Sequence, residues 1–243
     1  MRTPEQARAA GEVERVQHEH ADVTGGWLRP AVFGASDGLV SNFALIAGVA
    51  GGSSDNKVVL LAGMAGLAAG AFSMAAGEWI SVRSQAEHAQ AEIEIERNEI
   101  LKRPKAEERE LAHMYVAKGL DPDLAREVAR QISLNPEVAL DVHVREELGI
   151  DPDDLPSAGL AAGSSFASFA VGALVPVLPY LLGASALWPA VVVTLIGLFL
   201  AGAFVTRLTP RHWWYGGIRQ VLVGAVAALI TYGFGSLVGG GIA

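Results

Sequence analysis

FSMAAGEWISVRSQAEHAQAEIEIERNEI, residues 72–100, is the stretch of sequence that decides the fold. It begins with small and apolar side chains, as a membrane-spanning helix does, and it ends with a series of glutamates. It contains no proline, and its last glycine is Gly77, so no residue after that point favours a break in a helix. The stretch therefore predicts one continuous helix that leaves the lipid and continues into water.

The composition of the 243-residue chain indicates a membrane protein. Hydrophobic residues make up 51% of it and are grouped in blocks, and the mean hydropathy is +0.33. The chain has no cysteine, which excludes disulfides, thiolate metal sites and a thiol nucleophile. A net charge of −8 argues against nucleic acid as a partner and favours cationic partners.

Five segments are long and apolar enough to cross a bilayer, which takes about 20 residues. They are residues 30–52, 58–82, 158–182, 186–206 and 216–238. Of the 18 lysines and arginines, only Lys57 falls clearly on the side of the loop 53–57. Because lysine and arginine concentrate on the cytoplasmic side, we expect the N-terminus in the cytoplasm and the C-terminus outside. The predicted fold is all-α and polytopic, with five transmembrane helices.

The chain divides into four predicted parts. Residues 1–26 form a polar cytoplasmic tail without the features of a secretory signal, although His18, Glu19 and His20 could capture metal. Residues 27–83 hold transmembrane helices 1–2, and residues 158–243 hold helices 3–5. Residues 84–157 form a helical cytoplasmic insertion with 18 acidic and nine basic residues. Prolines and glycines divide that insertion into four predicted helices: one ending near Arg103, one from Pro104 to Gly119, one from Pro122 to Asn135 and one from there to Gly149.

The glutamates of the insertion are aligned on helix faces, since positions four apart nearly stack. Like charges at this spacing destabilise a helix by roughly 0.2–0.5 kcal/mol per pair, so the stripes are either solvated surface or neutralised by a cation. Histidine and methionine at their margins suit Fe²⁺, Mn²⁺, Co²⁺ or Zn²⁺ better than calcium. The stripes are His88, Glu92, Glu96 and Glu99 on the first helix, Glu107, Glu110 and Met114 with neighbouring His113 on the second, and His143 and Glu147 on the fourth.

Ionisable side chains also lie within the predicted spans, where each costs about 2.5–3.5 kcal/mol and indicates a functional site. Asp37 lies about a third of the way into the first span, and Met74 and Glu78 lie four apart on the second. If the two helices face each other, Asp37 and Met74 line a common pathway, with Glu78 towards its cytoplasmic mouth. A carboxylate with a thioether suits a partly dehydrated transition-metal ion. The alternatives are a structural Asp37, a Met74 that only packs, and a Glu78 at the interface beside Trp79.

Three motifs resemble the vacuolar iron transporter family: SDGLVSNFALIAGVAGG (residues 36–52), GLAAGAFSMAAGEWISVRSQAEHAQAEIEIERNEI (residues 66–100) and VHVREELGI (residues 142–150). The resemblance covers roughly residues 27–238 and includes the acidic insertion between the second and third spans. It implies a homodimer in which paired first helices line the path. It also implies that Fe²⁺, often with Mn²⁺, leaves the cytosol in exchange for protons.

The resemblance assigns roles to individual residues. Asp37 resembles the aspartate and Met74 the methionine of the translocation path. The resemblance also implies a set of metal-binding glutamates in the cytoplasmic domain: Glu96, Glu99, Glu107, Glu110 and Glu147. The chain departs from the family at Gly66, where eukaryotic members carry a glutamate, and at His143-Val144, which replace a methionine pair. Glu78 is our hypothetical substitute for the missing glutamate, and the His143-Val144 replacement leaves the selectivity among metals open.

The sequence therefore favours a proton-coupled metal exporter with no prosthetic group and no enzymatic activity. A di-iron oxidase would need two Glu-x-x-His motifs, and the chain has one, from Glu110 to His113. The remaining alternative is a membrane anchor whose acidic domain binds metal or a basic partner without transport. No targeting segment is visible, so the sequence-based expectation is a bacterial-type plasma membrane.

Overall fold

The computed structural model describes residues 26–206 and 211–242. The predictions for the N-terminal tail, including His18, Glu19 and His20, lie outside these described residues. All regular secondary structure within the two described ranges is helical, as predicted. The helices are α1 (Leu28–Gly52), α2 (Asn56–Lys102), α3 (Pro104–Ala117), α4 (Pro122–Ile132), α5 (Pro136–Glu146), α6 (Ala158–Leu181), α7 (Trp188–Val205) and α8 (Trp213–Ile242).

Five of these helices, α1, α2, α6, α7 and α8, are long and apolar enough to cross a membrane. Their number and order confirm the predicted polytopic all-α fold, and their ends differ from the predicted ends by a few residues. The largest differences are in α8, which begins at Trp213 rather than residue 216 and ends at Ile242 rather than residue 238. The aromatic residues before the apolar run are therefore already helical, because a helix can begin in the polar interface before it enters the hydrocarbon.

α2 is a single helix of 47 residues, as residues 72–100 predict. Asp55 caps its first turn by accepting a hydrogen bond from the backbone N–H of Lys57 at 2.8 Å. The helix ends just before Pro104, which cannot continue the hydrogen-bond ladder and begins α3 instead. At ~1.5 Å per residue α2 is about 70 Å long, more than twice the ~30 Å hydrocarbon core of a bilayer. Its C-terminal half must therefore lie in water.

The three short helices α3, α4 and α5 connect this polar half of α2 to α6. Each begins with a proline in its first turn, and the side chains of Asp121 and Asn135 cap α4 and α5. Ile100 of α2 packs against buried apolar residues of α5, and an Arg97–Glu137 ion pair with a 3.0 Å contact joins the same two helices. α5 is thereby held against the polar half of α2.

In the membrane-spanning part, α1 packs against α2, α6, α7 and α8. The contact with α6 is close at Gly38, where an added Cβ would lie 2.3 Å from the carbonyl oxygen of Phe169 and 2.8 Å from the backbone nitrogen of Ala173. The two backbones therefore touch, as they do at small residues in membrane helix pairs. This contact fixes the position of Asp37, the neighbour of Gly38, next to α2 and α6.

We predict that Gly38→Ala loosens the α1–α6 contact, because the methyl group meets backbone atoms that cannot rotate away. Overpacking of this kind costs about 1–3 kcal/mol. The measurement is the thermal unfolding temperature of the purified protein in detergent. Gly163→Ala on α6 is the matched control, since a Cβ at that position meets nothing within 4 Å. Equal unfolding temperatures for the two variants would contradict the close contact.

Candidate metal-binding sites

One group of metal-ligating side chains lies between the polar half of α2 and the end of α5. It consists of Glu96 on α2 and of His143 and Glu147, which are one helical turn apart on and just beyond α5. One ligand atom from each of the three lies within 4.8 Å of the others. His143 Nδ1 is 3.1 Å from Glu96 Oε1 and 3.5 Å from Glu147 Oε2. Two carboxylates and an imidazole so arranged can bind a divalent transition metal.

The interior of this group is buried and short of hydrogen-bond partners. His143 is 0% exposed and Glu96 is 7% exposed. Although Nδ1 of His143 is within ion-pair distance of Glu96, the angle is not that of a hydrogen bond. Neither ring nitrogen of His143 nor Oε1 of Glu96 has a hydrogen-bond partner among the described residues. Buried polar atoms without partners are rare, and a bound cation would satisfy them together.

Burial and neighbouring carboxylates make Glu96 difficult to ionise. Desolvation is the largest cause, and repulsion from nearby glutamates adds to it, so the pKa of Glu96 rises from 4.5 to about 7. Desolvation likewise raises the pKa of Glu107, and neighbouring glutamates act in the same direction, while His143 opposes them. These interactions show that the structure brings together the five glutamates proposed from the sequence, Glu96, Glu99, Glu107, Glu110 and Glu147.

Not every residue of the predicted stripes belongs to this group. His88 lies 3.8 Å from Glu92 in an exposed pair one to two turns before Glu96. Glu99 makes an ion pair of 3.1 Å with Arg103. Met114 packs against the apolar cluster around Leu111. The predicted methionine of α3 therefore belongs to a hydrophobic core and not to the group of carboxylates.

A second polar site lies within the membrane-spanning bundle. Asp37 and Met74 line a common cavity of about 300 Å³ between α1, α2 and α6. The Asp37 carboxylate has no ion-pair or hydrogen-bond partner in the described part of the chain, since Ser41 Oγ donates to the backbone oxygen of Asp37 instead. The remaining lining residues are Ser41, Asn42, Leu45, Gly66, Gly70, Ser73 and Phe169. The structure thus places a free carboxylate and a thioether in one cavity, as expected from the first two spans facing each other.

Glu78 lies elsewhere. It lines a different cavity of about 470 Å³ with Arg29, Ser36 and Arg219, near the start of α1 and one turn beyond Met74 on α2. It is not among the residues that line the Asp37 cavity. The described structure therefore places Glu78 between the polar half of α2 and the cavity of Asp37, rather than beside Asp37.

The sequence placed His143 in a stripe with Glu147 without assigning it to the metal-binding set, and it gave Asn42 no role. His143 has a visible signal, since it lies four residues before Glu147, but only the fold shows that α5 turns it towards Glu96. Asn42 lines the Asp37 cavity and was treated as an ordinary polar residue of the first span. Its role depends on contacts from three helices, which no spacing rule reveals.

The fold defines a multi-pass membrane protein with a cluster of acidic side chains and a histidine outside the membrane-spanning part and a cavity that holds a carboxylate within it. The chain belongs to the VIT family, whose sequence profile it matches over residues 28–236. This membership confirms the resemblance seen in the sequence.

Relatives of known name agree with this family. The chain is 34% identical to "Vacuolar iron transporter 1" of Oryza sativa subsp. japonica, over 91% of this chain and 90% of that protein. It is 32% identical to "Vacuolar iron transporter 1" of Arabidopsis thaliana, over 84% and 83% of the two chains. It is 37% identical to "Vacuolar iron transporter" of Acanthamoeba castellanii, over 93% and 84%. The family supports metal-ion transport across a membrane.

The names of these relatives also correct one expectation. They refer to the vacuole, so the sequence-based assignment to a plasma membrane is wrong. The expectation failed because it rested only on the lack of a visible targeting segment. The multi-pass character of the protein is unaffected.

We predict that Glu96→Gln stabilises the metal-free protein at pH 8. The folded-state pKa of Glu96, about 7, exceeds its ordinary value of 4.5, so ionisation destabilises the fold and stability falls as the pH rises from 4.5 to 7. Glutamine removes this effect, which we expect to be on the order of 1–2 kcal/mol at pH 8 and small at pH 5. The measurement is amide hydrogen exchange in α5, in the presence of a chelator.

The matched control for this prediction is Glu94→Gln, two residues away on the exposed side of α2, where the carboxylate pairs with Arg97. It should not increase the protection of α5 at either pH. If the amides of α5 exchange as fast in Glu96→Gln as in the wild type at pH 8, burial and the neighbouring carboxylates do not destabilise the ionised form of Glu96.

Proposed function

We propose that this protein is a proton-coupled exporter that moves divalent transition metal ions from the cytosol across the membrane. Fe²⁺ is the preferred substrate and Mn²⁺ is an additional one. The observation that carries this proposal is the free Asp37 carboxylate in a membrane cavity that Met74 also lines. An ionisable group inside the bilayer is expensive and is kept for ion or proton movement. A membrane anchor without transport has no use for it.

The residues outside the bilayer act as a collector of metal. Their carboxylates attract divalent cations, and the group of buried Glu96 and His143 with exposed Glu147 offers ligands of the type that Fe²⁺ and Mn²⁺ accept. Because carboxylates must lose their protons to bind metal, binding and protonation compete here. The cation would also relieve the repulsion among the five glutamates, which raises the pKa of Glu96 in its absence.

α2 connects the collector to the membrane cavity. Glu96 and Met74 are 22 residues apart on this one helix, which corresponds to about 33 Å. Glu78 lies between them, beside a cavity near the start of α1. We propose that a cation moves from the collector past Glu78 to Met74 and Asp37.

Proton coupling follows from the chemistry of Asp37. A carboxylate in low-dielectric surroundings is favourable only when a proton or a cation neutralises it. A proton that arrives at Asp37 from the far side would therefore displace the metal, and an arriving metal would displace the proton. Glu78 can act as a second proton carrier at the entrance.

A homodimer is part of this proposal. In one subunit Asp37 is only half-buried, and Ser41 and Leu45, one and two turns further along the same face of α1, are exposed. A carboxylate facing lipid costs about 2.5–3.5 kcal/mol, so a second α1 packed against this face would stabilise it. The path would then lie between the first helices of the two subunits.

The metal assignment draws support from the relatives, which are named iron transporters and share about a third of their residues with this chain. The ligand set supports the same class of ion, since carboxylate, imidazole and thioether together suit borderline divalent metals. His143, which is an imidazole ligand, widens the accepted range to Co²⁺ and Zn²⁺.

We predict that Asp37→Asn abolishes metal export while the collector still binds metal. The amide keeps the size of the side chain but cannot exchange a cation for a proton. The measurement is Fe²⁺ uptake, under anaerobic conditions, into proteoliposomes with an acidic interior, beside metal binding by the same protein in detergent. Export at the wild-type rate would overturn the proposed path. A wild-type protein that binds metal but does not export it would instead support the anchored, non-transporting alternative.

We predict that Glu147→Gln lowers the affinity of the collector for Mn²⁺ by about tenfold or more, as expected for loss of one charged ligand. The adjacent Glu146 provides the matched control, because its carboxylate pairs with Lys118 and not with His143. Glu146→Gln should leave the affinity within about twofold. The measurement is equilibrium Mn²⁺ binding to the full chain, and equal losses in the two variants would mean that only net charge matters.

A further inference from the structure

Asn42 is a buried amide of α1, five residues beyond Asp37, and it is 2% exposed. Its Nδ2 donates hydrogen bonds to the carbonyl oxygen of Ala173 at 2.7 Å and to that of Gly63 at 3.2 Å. Both partners can only accept, so the nitrogen of the amide must face them. These two bonds join α1 to α2 and α6, and they fix Oδ1 on the opposite side of the amide.

The Oδ1 atom of Asn42 has no hydrogen-bond partner among the described residues, although it is buried. It is directed towards α2 at Gly66, where an added Cβ would lie only 2.7 Å away. Both residues line the cavity that holds Asp37 and Met74. A buried amide oxygen without a partner is unfavourable, and one fixed at a cavity that contains a carboxylate and a thioether can serve as a ligand.

We propose that Oδ1 of Asn42 is a neutral ligand for the divalent cation during transport. Asn42 lies about 7.5 Å further along α1 than Asp37, so it would form a second binding position on the path. Amide oxygens coordinate divalent cations, and they do so without taking up a proton near neutral pH. The amide would therefore hold the ion while Asp37 exchanges it for a proton. Glycine at position 66 is required because a Cβ there would lie 2.7 Å from the oxygen. This inference rests on the proposed metal transport and adds a residue to its path.

Asn42 also joins three helices, so a test must separate its oxygen from its nitrogen. Gly66→Ala places a methyl group 2.7 Å from Oδ1, so the amide must shift slightly to admit it, but both acceptors of Nδ2 remain present. The same methyl would lie 2.4 Å from Leu45 Cδ2, so the substitution is made together with Leu45→Ala and compared with Leu45→Ala alone. Asn42→Leu, of similar size, removes both the oxygen and the two hydrogen bonds.

The measurements are the kinetics of Fe²⁺ uptake into proteoliposomes and the thermal unfolding temperature of each full-length variant. We expect kcat/KM of the Gly66→Ala/Leu45→Ala protein to fall about tenfold or more below that of Leu45→Ala. Its unfolding temperature should fall less than that of Asn42→Leu, because the higher helix propensity of alanine offsets part of the close contact and the acceptors of Nδ2 are kept. Asn42→Leu should lose uptake and also unfold at a lower temperature.

Two results would overturn the inference. One is that the Gly66→Ala/Leu45→Ala protein takes up metal as fast as Leu45→Ala and only Asn42→Leu loses uptake. This would show that Asn42 only joins the helices and that its oxygen does not bind the cation. A wild-type protein that takes up no metal would overturn the proposed function and this inference with it. If Leu45→Ala still takes up metal, the proposed transport holds. Loss of uptake on adding Gly66→Ala to that variant then tests the role of the Asn42 oxygen alone.

Discussion

The unbroken hydrogen-bond ladder of α2, from Asn56 to Lys102, is the constraint on which the rest of the structure depends. A helix that crosses a bilayer satisfies its own backbone groups, and this one continues for about 20 further residues in water without a break. Its rigidity fixes the distance and the rotation between Met74 in the bilayer and Glu96 outside it. A proline between them would interrupt this ladder and leave the two sites without a fixed spacing.

The two sites use the same principle at different depths. Each collects polar atoms that are unfavourable without a cation, outside the bilayer as crowded carboxylates around His143 and within it as the free carboxylate of Asp37. In the proposed function, the many charges of the outer site would give it a large affinity for cations. The inner site, with one carboxylate, one thioether and the proposed amide ligand of Asn42, would bind a dehydrated ion more weakly and could release it. This decrease in charge along the path would favour movement of the ion.

Much of this architecture follows from local rules of sequence. Blocks of apolar residues predicted the five spans, Pro104 predicted the end of α2, and the spacing of glutamates on three helices predicted a common acidic face. These features depend on the helical period and on single residues that stop a helix, both of which can be seen in the chain. The association of the five glutamates needed only the further assumption that the short helices pack on α2.

The remaining features depend on contacts between distant segments. The burial of His143 arises from the packing of α5 on Ile100, and the orientation of Asn42 arises from carbonyl groups 21 and 131 residues away. Glu78 follows Met74 by one turn, yet it lines a different cavity, because α1 and α8 contribute Arg29 and Arg219 beside it. The membrane in which a protein resides has no counterpart in helix periodicity or charge spacing, which explains why that expectation failed.

The most direct test of this account is anomalous X-ray diffraction from crystals of the full chain grown in lipid with Mn²⁺. The account predicts one anomalous peak among Glu96, His143 and Glu147 and a second in the membrane cavity between Asp37 and Met74. A strong peak in the outer site with none in the membrane cavity, at Mn²⁺ concentrations that saturate transport, would contradict it.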